Sequence, residues 1–523
     1  MFGFLAIMAL AIFLRFYHID KFSLFSDERS SVLIGVANTN QGGMGELMRP
    51  DHTFTPQDFW APRGIKSWFD ADARGDVSGN SLLHDMMLKL FAFLFGKSDF
   101  SMRSVSVIFN LLTVWVIFRW ARQIFPHKKW TLLVLFFAAI EPFFIIYSQQ
   151  VRNYTTSLFF TTASNYLFWK LIIQDSEATV FNKKYFYLWV LASIGSLFST
   201  YLTVLSLMGQ GLYMLWQNRN KNLLLDYSKG ILLIFLPIIP WFIWGPGKYF
   251  WQFQADAAEQ LLDFIKANGE VPGWLELSSP SNLFKRTLSI WSDQFIWTND
   301  LYVQHGYRIG AVLFVGFLFL LYQWYQKLSK DLKRLYFFAF IQLVFPVLML
   351  FAAAVRAGTT SGFFLRYACF GLPFGIFISV SIFQYVLQQA FWYKTILSVF
   401  FALQVFHLFQ LFMPLYSDQK QKYTYAVNRG PNPYPMIAQK IKETYQEGDT
   451  IVYPSSKANL LNSKHMRNRL IDPLDAQNVN LYFDGNETFI QRVDPFMKDS
   501  IMIYSKNGEK KLIFDFENGK YRY

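Results

Sequence analysis

The sequence predicts a mainly α-helical, polytopic transmembrane bundle of about eleven spans with a small C-terminal α/β domain outside the membrane. Three observations carry that expectation. Of the 523 residues, 53% are hydrophobic and only 16% are charged, against the roughly 25% charged of a soluble domain. The shortfall lies in long uncharged stretches, several close to the ~20 residues a helix needs to cross a bilayer. After Pro414 the composition turns charged and polar, punctuated by Gly, Pro and Asn.

In chain order, the opening run 1–17 has neither a basic start nor a small-residue cleavage site, and further spans follow. It reads as an uncleaved first transmembrane helix, with Arg15 extending to the headgroups. A polar outer segment covers 18–102. Within it, 81–95 is apolar but interrupted by His84, Asp85 and Lys89, the pattern of an interfacial helix. Spans follow at 103–121, 130–147, 155–173, 185–200, 203–217, 230–244, 307–325, 335–355, 367–386 and 395–413. The loop 245–304 is too long to be a simple connection. It carries Trp251, Trp274, Trp291 and Trp297, reads as helical over 253–267, and suits an interfacial lid. In the tail, 434–445 reads as a helix, and 450–453, 501–504 and 511–516 as strands. The division is therefore 1–413 for the bundle, with outer loops 18–102 and 245–304, and 414–523 for the α/β domain.

Charge fixes the orientation. One set of alternate loops holds Lys128, Lys129, Lys170, Lys183, Lys184, Arg219, Lys221, Lys327, Lys330, Lys333 and Arg334. The short loops opposite hold only Arg152, Arg356 and Arg366, so the first set is cytoplasmic by the positive-inside rule. That assignment accounts for the net charge of +13 without nucleic acid, for which no basic face or binding motif is present. The single Cys369 excludes an internal disulfide framework.

Three outward elements then combine carboxylate, guanidinium and aromatic groups at the membrane surface. They are Phe25-Ser26-Asp27-Glu28-Arg29, the run Tyr147-Ser148-Gln149-Gln150-Val151-Arg152-Asn153-Tyr154, and Phe363-Phe364-Leu365-Arg366-Tyr367; Arg103 adds a polar point at a span start. A carboxylate pair beside hydrocarbon is costly and marks a functional-site candidate. Moving a group from a lipid-linked phosphate to a hydroxyl needs one base for the acceptor proton. It also needs cations for the departing phosphate, a task suited to the planar fork of Arg. A divalent cation held by His84, Asp85 and the acidic pair is a weaker expectation.

The order of these elements resembles the GT-C glycosyltransferases, above all the protein O-mannosyltransferases and the aminoarabinose transferases of lipid A. Phe25–Arg29 is similar to the acidic motif of their first outer loop. Leu88-Lys89-Leu90-Phe91 through Phe95-Gly96-Lys97-Ser98-Asp99-Phe100-Ser101-Met102-Arg103 resembles their helix, Gly turn and arginine at the second span. Tyr147–Tyr154 is similar to their Tyr-Ser-Gln-Glu-Ala-Arg-x-Tyr signature, and Arg366-Tyr367 followed by Leu372-Pro373 to their late Arg-Tyr element. The resemblance implies a polyprenyl-phosphate sugar donor and transfer with inversion on the outer side. The acceptor would be a glycan, glycolipid or protein hydroxyl. The setting it implies is a bacterial inner membrane, with the site facing the periplasm or exterior. It implies Asp27 as catalytic base, with Glu28 beside it as metal ligand or acceptor-positioning group. Arg366 and Arg152 would contact phosphate, with Arg103, Tyr154, Tyr367, Asn80 and His84 as further substrate-binding residues. One departure is local: the family often has His or Lys followed by two prolines where this chain reads Asn80-Ser81-Leu82-Leu83-His84-Asp85. A rival class, a transporter or flippase of an amphipathic glycolipid-like substrate, predicts ionisable groups deep in the spans.

Overall fold

The computed structural model describes residues 2–37, 48, 52–61, 64–74, 80–172, 181–217, 221–248, 276–417, 419, 422–423, 430–455, 473–497 and 499–517. Within these the helices are α1 (Phe2–Phe16), α2 (Ser26–Gly35), α3 (Pro56–Trp60), α4 (Ile65–Arg74), α5 (Leu82–Phe95), α6 (Asp99–Ile124), α7 (Lys128–Ile140) and α8 (Pro142–Ser148). They continue as α9 (Tyr154–Ile172), α10 (Lys183–Ser199), α11 (Val204–Gln217), α12 (Lys221–Ile243), α13 (Pro280–Asp293), α14 (Leu301–Gln326), α15 (Lys330–Ala357), α16 (Leu372–Val386) and α17 (Phe391–Phe412).

Each expected span falls on one of these helices, but the count of eleven is not reached. Among the described residues, six helices are long and apolar enough to cross a membrane, or seven if α7 and α8 form one bent span. The bend of 46° falls where Glu141 accepts the Phe143 N–H at 3.2 Å and Pro142 opens the next helix. The chain is an integral membrane protein. Helices α9, α10 and α11 meet one another and α15 through polar side chains. Ser164 and Ser193 pair at 2.8 Å, Gln210 donates to Asn165 Oδ1 at 2.8 Å, and Ser206 donates to Gln342 Oε1 at 2.7 Å. Interhelical hydrogen bonds of this kind hold helices together in an apolar medium.

Arg15 departs from expectation. It is fully buried, not at the headgroups. Its Nε donates to Asn110 Oδ1 at 2.6 Å, and its Nη atoms donate to the carbonyls of Ala11, Ala138 and Ala139. The guanidinium thus stitches α1 to α6 and α7, which satisfies a charge that burial would otherwise make costly.

The segment between α13 and α14 dips back into the bundle. Trp297 is buried against Phe137, Phe383 and Phe401 and donates to the Ser379 carbonyl at 3.2 Å, so it anchors the loop inside the protein. Gln404 of α17 donates to the carbonyls of Ile296 and Asn299. The expected helix over 253–267, Trp251 and Trp274 lie outside the described residues, whereas α13 was not anticipated. Lys422 closes this region by pairing with Asp293 at 3.0 Å and Asp300 at 2.9 Å, while His407 contacts Asp300 at 3.2 Å. Gly375 of α16 sits so close that an added Cβ would overlap the Gln294 carbonyl oxygen. Gly375→Ala should therefore destabilise the bundle by about 1–3 kcal/mol, as overpacking does. Thermal melting in detergent checks this, and an unchanged midpoint would contradict the fit.

The tail folds as α18 (Tyr434–Thr444), β1 (Thr450–Pro454), α19 (Leu474–Asn480), β2 (Ile490–Asp494), β3 (Ser500–Tyr504) and β4 (Lys510–Asp515). The sheet order is β2-β1-β3-β4, with β1 and β2 parallel and the other pairs antiparallel. Strand β2 and helix α19 were not anticipated. Residue 54 of the outer segment adds to the β2 edge through reciprocal bonds between Phe54 and Gln491. One apolar core joins Ile437, Ile451, Val493 and Ile501 of the tail to Val32, Leu33, Phe59, Leu88 and Met102. The tail thereby shares one apolar core with the helix that carries the acidic pair.

Candidate active site

The backbone turns at Phe25 and enters α2, whose first turn holds Asp27 and Glu28. Acidic residues suit this place, where the exposed N–H groups and the helix dipole favour negative charge. Glu28 reaches back to accept the Phe25 N–H at 3.3 Å, one half of a capping box. The two neighbours then diverge, as successive residues on a helix must.

Glu28 turns inward and is fully buried. Arg103 meets it through Nε–Oε1 at 3.0 Å and Nη2–Oε2 at 3.1 Å, and the Val151 N–H donates to Oε1 at 2.8 Å. Arg103 also donates to the carbonyls of Ile19, Phe22 and Ser23. All five N–H bonds of its guanidinium are thereby used. Arg103 spends all its donors inside the protein, where a substrate contact was expected, and both Glu28 oxygens accept protein N–H groups. The pair is a buried clamp that fixes the approach to α2 against α6 and the Tyr147–Tyr154 run. The tail reinforces it: Tyr482 and Asn432 both donate to the Asp99 carboxylate at 2.6 Å, one turn before Arg103 on α6.

Asp27 turns outward. Its side chain is 22% exposed, and its Oδ2 lies 3.9 Å from Arg152 Nη2. Arg152 is held in place by donating from Nη1 to the Asp27 carbonyl at 3.0 Å and to Ser31 Oγ at 3.3 Å. Its guanidinium lies 5.7 Å from the Tyr154 ring centre. Arg366 approaches the same ring at 5.9 Å and the Tyr367 ring at 4.8 Å. Tyr154 thus sits between the two guanidinium groups, with Tyr147 packed on it at 4.9 Å and Tyr367 at 6.4 Å. Cation–aromatic contacts of this kind orient an Arg without using its N–H donors. The structure brings Asp27, Arg152, Tyr154, Arg366 and Tyr367 together from three separate stretches of sequence.

Asn80 and His84 are placed differently. The Asn80 side-chain oxygen accepts the Tyr201 N–H at 2.6 Å and the Thr200 hydroxyl at 3.2 Å, so it holds the corner between α10 and α11. His84 is fully buried and pairs through Nδ1 with Thr156 Oγ1 at 3.0 Å, whereas Asp85 accepts from Ser81 at 2.7 Å. Among the described residues, no group of three or more His, Cys, Asp or Glu side chains is arranged to hold a metal ion. Sequence reasoning missed Thr155 and Thr156, Ser31, and the partners Asn432 and Tyr482. Only the two threonines left a signal, as polar residues directly after the Tyr147–Tyr154 run.

Burial, helped by the charge of Arg152, pushes the His84 imidazole down from 6.5 to about 3. The unfolded chain therefore takes up this proton as pH falls through its ordinary range, while the folded protein resists it. Stability is full above pH 6.5 and declines toward pH 3, by about 1.4 kcal/mol per pH unit for one such group. His84→Gln should flatten the acid limb of a melting profile between about pH 6 and pH 4. An unaltered slope would show that His84 does not carry the effect.

Residues 80–244 match the family described as dolichyl-phosphate-mannose-protein mannosyltransferase; Asp27 and Arg366 lie outside that stretch. No curated protein matches the sequence. Two solved structures of ArnT from Cupriavidus metallidurans, one bound to undecaprenyl phosphate and one in the apo state, align with 92% of this chain and 74% of theirs. Identity is 14% in both, with TM-scores of 0.47 and 0.45. From α5 through α12, the chain is similar to the dolichyl-phosphate-mannose protein mannosyltransferases, the GT-C resemblance that its motifs predict.

Proposed function

We propose that this protein transfers a sugar from a polyprenyl-phosphate donor to a hydroxyl acceptor at the outer face of the membrane. The observation that carries the reading is the partly exposed Asp27 carboxylate set against Arg152, with Arg366 sharing the Tyr154 ring. In this reading the acceptor O–H gives its proton to Asp27 as its oxygen attacks the anomeric carbon. The bond from that carbon to the phosphate oxygen breaks, and the polyprenyl phosphate leaves with the electron pair. Attack opposite the leaving group inverts the anomeric centre. Arg366 and Arg152 stabilise charge on the departing phosphate, where fixed cations are most effective.

The positive-inside count supports an orientation with Asp27 and the tail outside, and with 1–413 as the catalytic bundle and 414–523 as the extracytoplasmic α/β unit. A bacterial inner membrane suits that arrangement, with a glycan, a glycolipid or a protein as acceptor. Right-side-out membrane vesicles supplied with labelled polyprenyl-phosphate sugars test the reading. The expected result is covalent label on an envelope glycan, glycolipid or protein. Movement of label across the vesicle wall without any covalent product would instead establish the transporter.

A further inference from the structure

Two residues between α17 and α18 are tied into the bundle by more bonds than a connection needs. Lys422 Nζ donates to Asp293 Oδ1 and Asn299 Oδ1, both at 3.0 Å, and pairs with Asp300 Oδ1 at 2.9 Å. The ammonium thus sits among three oxygens, one for each of its N–H bonds. The same Asn299 donates from Nδ2 to the Tyr423 hydroxyl at 3.1 Å. The Lys422 side chain is only 15% exposed, and those of Asp293 and Asp300 less still. Apolar side chains of similar volume often fill such a space with no loss of stability, so a buried ionic cluster argues more for fixed geometry than for stability.

The backbone carries a second sign. Asp300 has φ of 63° and Tyr423 of 65°, both in the left-handed region. For a bulky residue such as Tyr that conformation is an outlier. It persists where the surroundings over-determine it, and such places cluster at functional sites. With this backbone, the Tyr423 carbonyl accepts the Tyr147 hydroxyl at 3.0 Å. Tyr147, on α8, meets the Tyr154 ring edge-on at 4.9 Å. Tyr154 is the ring that the Arg152 and Arg366 guanidinium groups both approach, at 5.7 and 5.9 Å. Two direct contacts therefore separate the Tyr423 carbonyl from the aromatic ring shared by the arginines.

We infer that Lys422 and Tyr147 are positioning residues for the phosphate-binding arginines. Lys422 fixes the Tyr423 carbonyl, that carbonyl fixes the Tyr147 hydroxyl, and Tyr147 sets the Tyr154 ring against which Arg152 and Arg366 are aligned. The inference rests on the polyprenyl-phosphate reading above and adds to it what holds the two cations in register. Neither residue touches the substrate. A sugar-linked phosphate diester carries one negative charge, whereas the departing monoester carries about 1.5 to 2 at neutral pH. Arginines out of line therefore lose more on the departing group than on the donor.

That difference supplies the test, with the full-length protein in nanodiscs and two lipids. One is undecaprenyl phosphate, the monoester. The other is its methyl ester, a diester of lower charge. The wild type should bind the monoester more tightly. Tyr147→Phe and Lys422→Met should each cut that preference by about three- to tenfold, the usual range for a residue that acts through others. The double variant should lose no more preference than the worse single change, because both act through one contact. A merely structural role would weaken both lipids alike and leave the preference intact. Should Lys422→Met yield no folded protein, Tyr147→Phe decides alone, since it removes one oxygen and keeps the ring. An unchanged preference in the folded variants would overturn the inference and leave the polyprenyl-phosphate reading standing. Losses that multiply in the double variant would overturn it as well. A wild type that binds neither lipid would overturn that reading and the inference with it, and one that binds both equally would overturn the inference alone.

Discussion

Replacing Asp27 by Asn is expected to lower the rate of sugar transfer by about 10²–10⁴-fold, the contribution of a positioned general base. Asn is nearly the same size and can keep the helix-start geometry, but it cannot accept the acceptor proton. The Asp27 side chain is 22% exposed, and its ion pair with Arg152 is long, at 3.9 Å. Exposed or loosely paired ions contribute at most about 1 kcal/mol. The melting temperature should therefore hold while turnover falls. Donor affinity should change little, since the arginines rather than the carboxylate meet the phosphate. Measuring turnover, donor binding and melting on one preparation separates these outcomes. Undiminished turnover would remove Asp27 from the chemistry, and a large drop in melting temperature would assign it to the scaffold.

The neighbouring residue should behave in the opposite way. Glu28→Ala or Arg103→Leu removes one partner of a fully buried, doubly bonded ion pair. Such a change costs about 3–5 kcal/mol, because the other charge remains without compensation. In Arg103→Leu the carbonyls of Ile19, Phe22 and Ser23 also lose their donor. The expected result is a sharp loss of folded protein and a lowered melting midpoint, with activity falling in proportion to folded protein. The double variant Glu28→Leu/Arg103→Leu should be less harmful than the sum of the two single changes, since their partners are shared. Strict additivity would show that the clamp is not one unit. Full stability with lost turnover would return Glu28 to a direct catalytic role.

Much of the fold could be read along the chain because hydrophobicity in a membrane is a local property. The helices over 335–355 and 395–413 are apolar throughout, and their positions follow from that alone. Helices α9, α10 and α11 were equally visible as apolar runs, but their Ser, Asn and Gln partners lie on other helices, so interior packing could not be separated from membrane crossing. The same limit governs the site. Asp27, Arg152 and Arg366 were legible because each stands beside aromatic residues at a span boundary. The division of labour inside the acidic pair was not, since it depends on Arg103, 75 residues away from Glu28. Arg15 misled for the same reason, its partner Asn110 being 95 residues distant. Strand β2 was hidden by its mixed sequence Ile-Gln-Arg-Val-Asp, which becomes a strand only by pairing with β1 on one side and Phe54 on the other.

A structure of the protein with a non-transferable polyprenyl-phosphate sugar bound tests the central claim most directly. The account predicts phosphate oxygens within about 3 Å of guanidinium nitrogens of Arg152 or Arg366. It also predicts the anomeric carbon facing Asp27 across a gap of about one acceptor hydroxyl, with reacting atoms roughly 3–3.5 Å apart once the acceptor is present. A phosphate held elsewhere in the bundle, with Asp27 out of reach of the anomeric carbon, would contradict it.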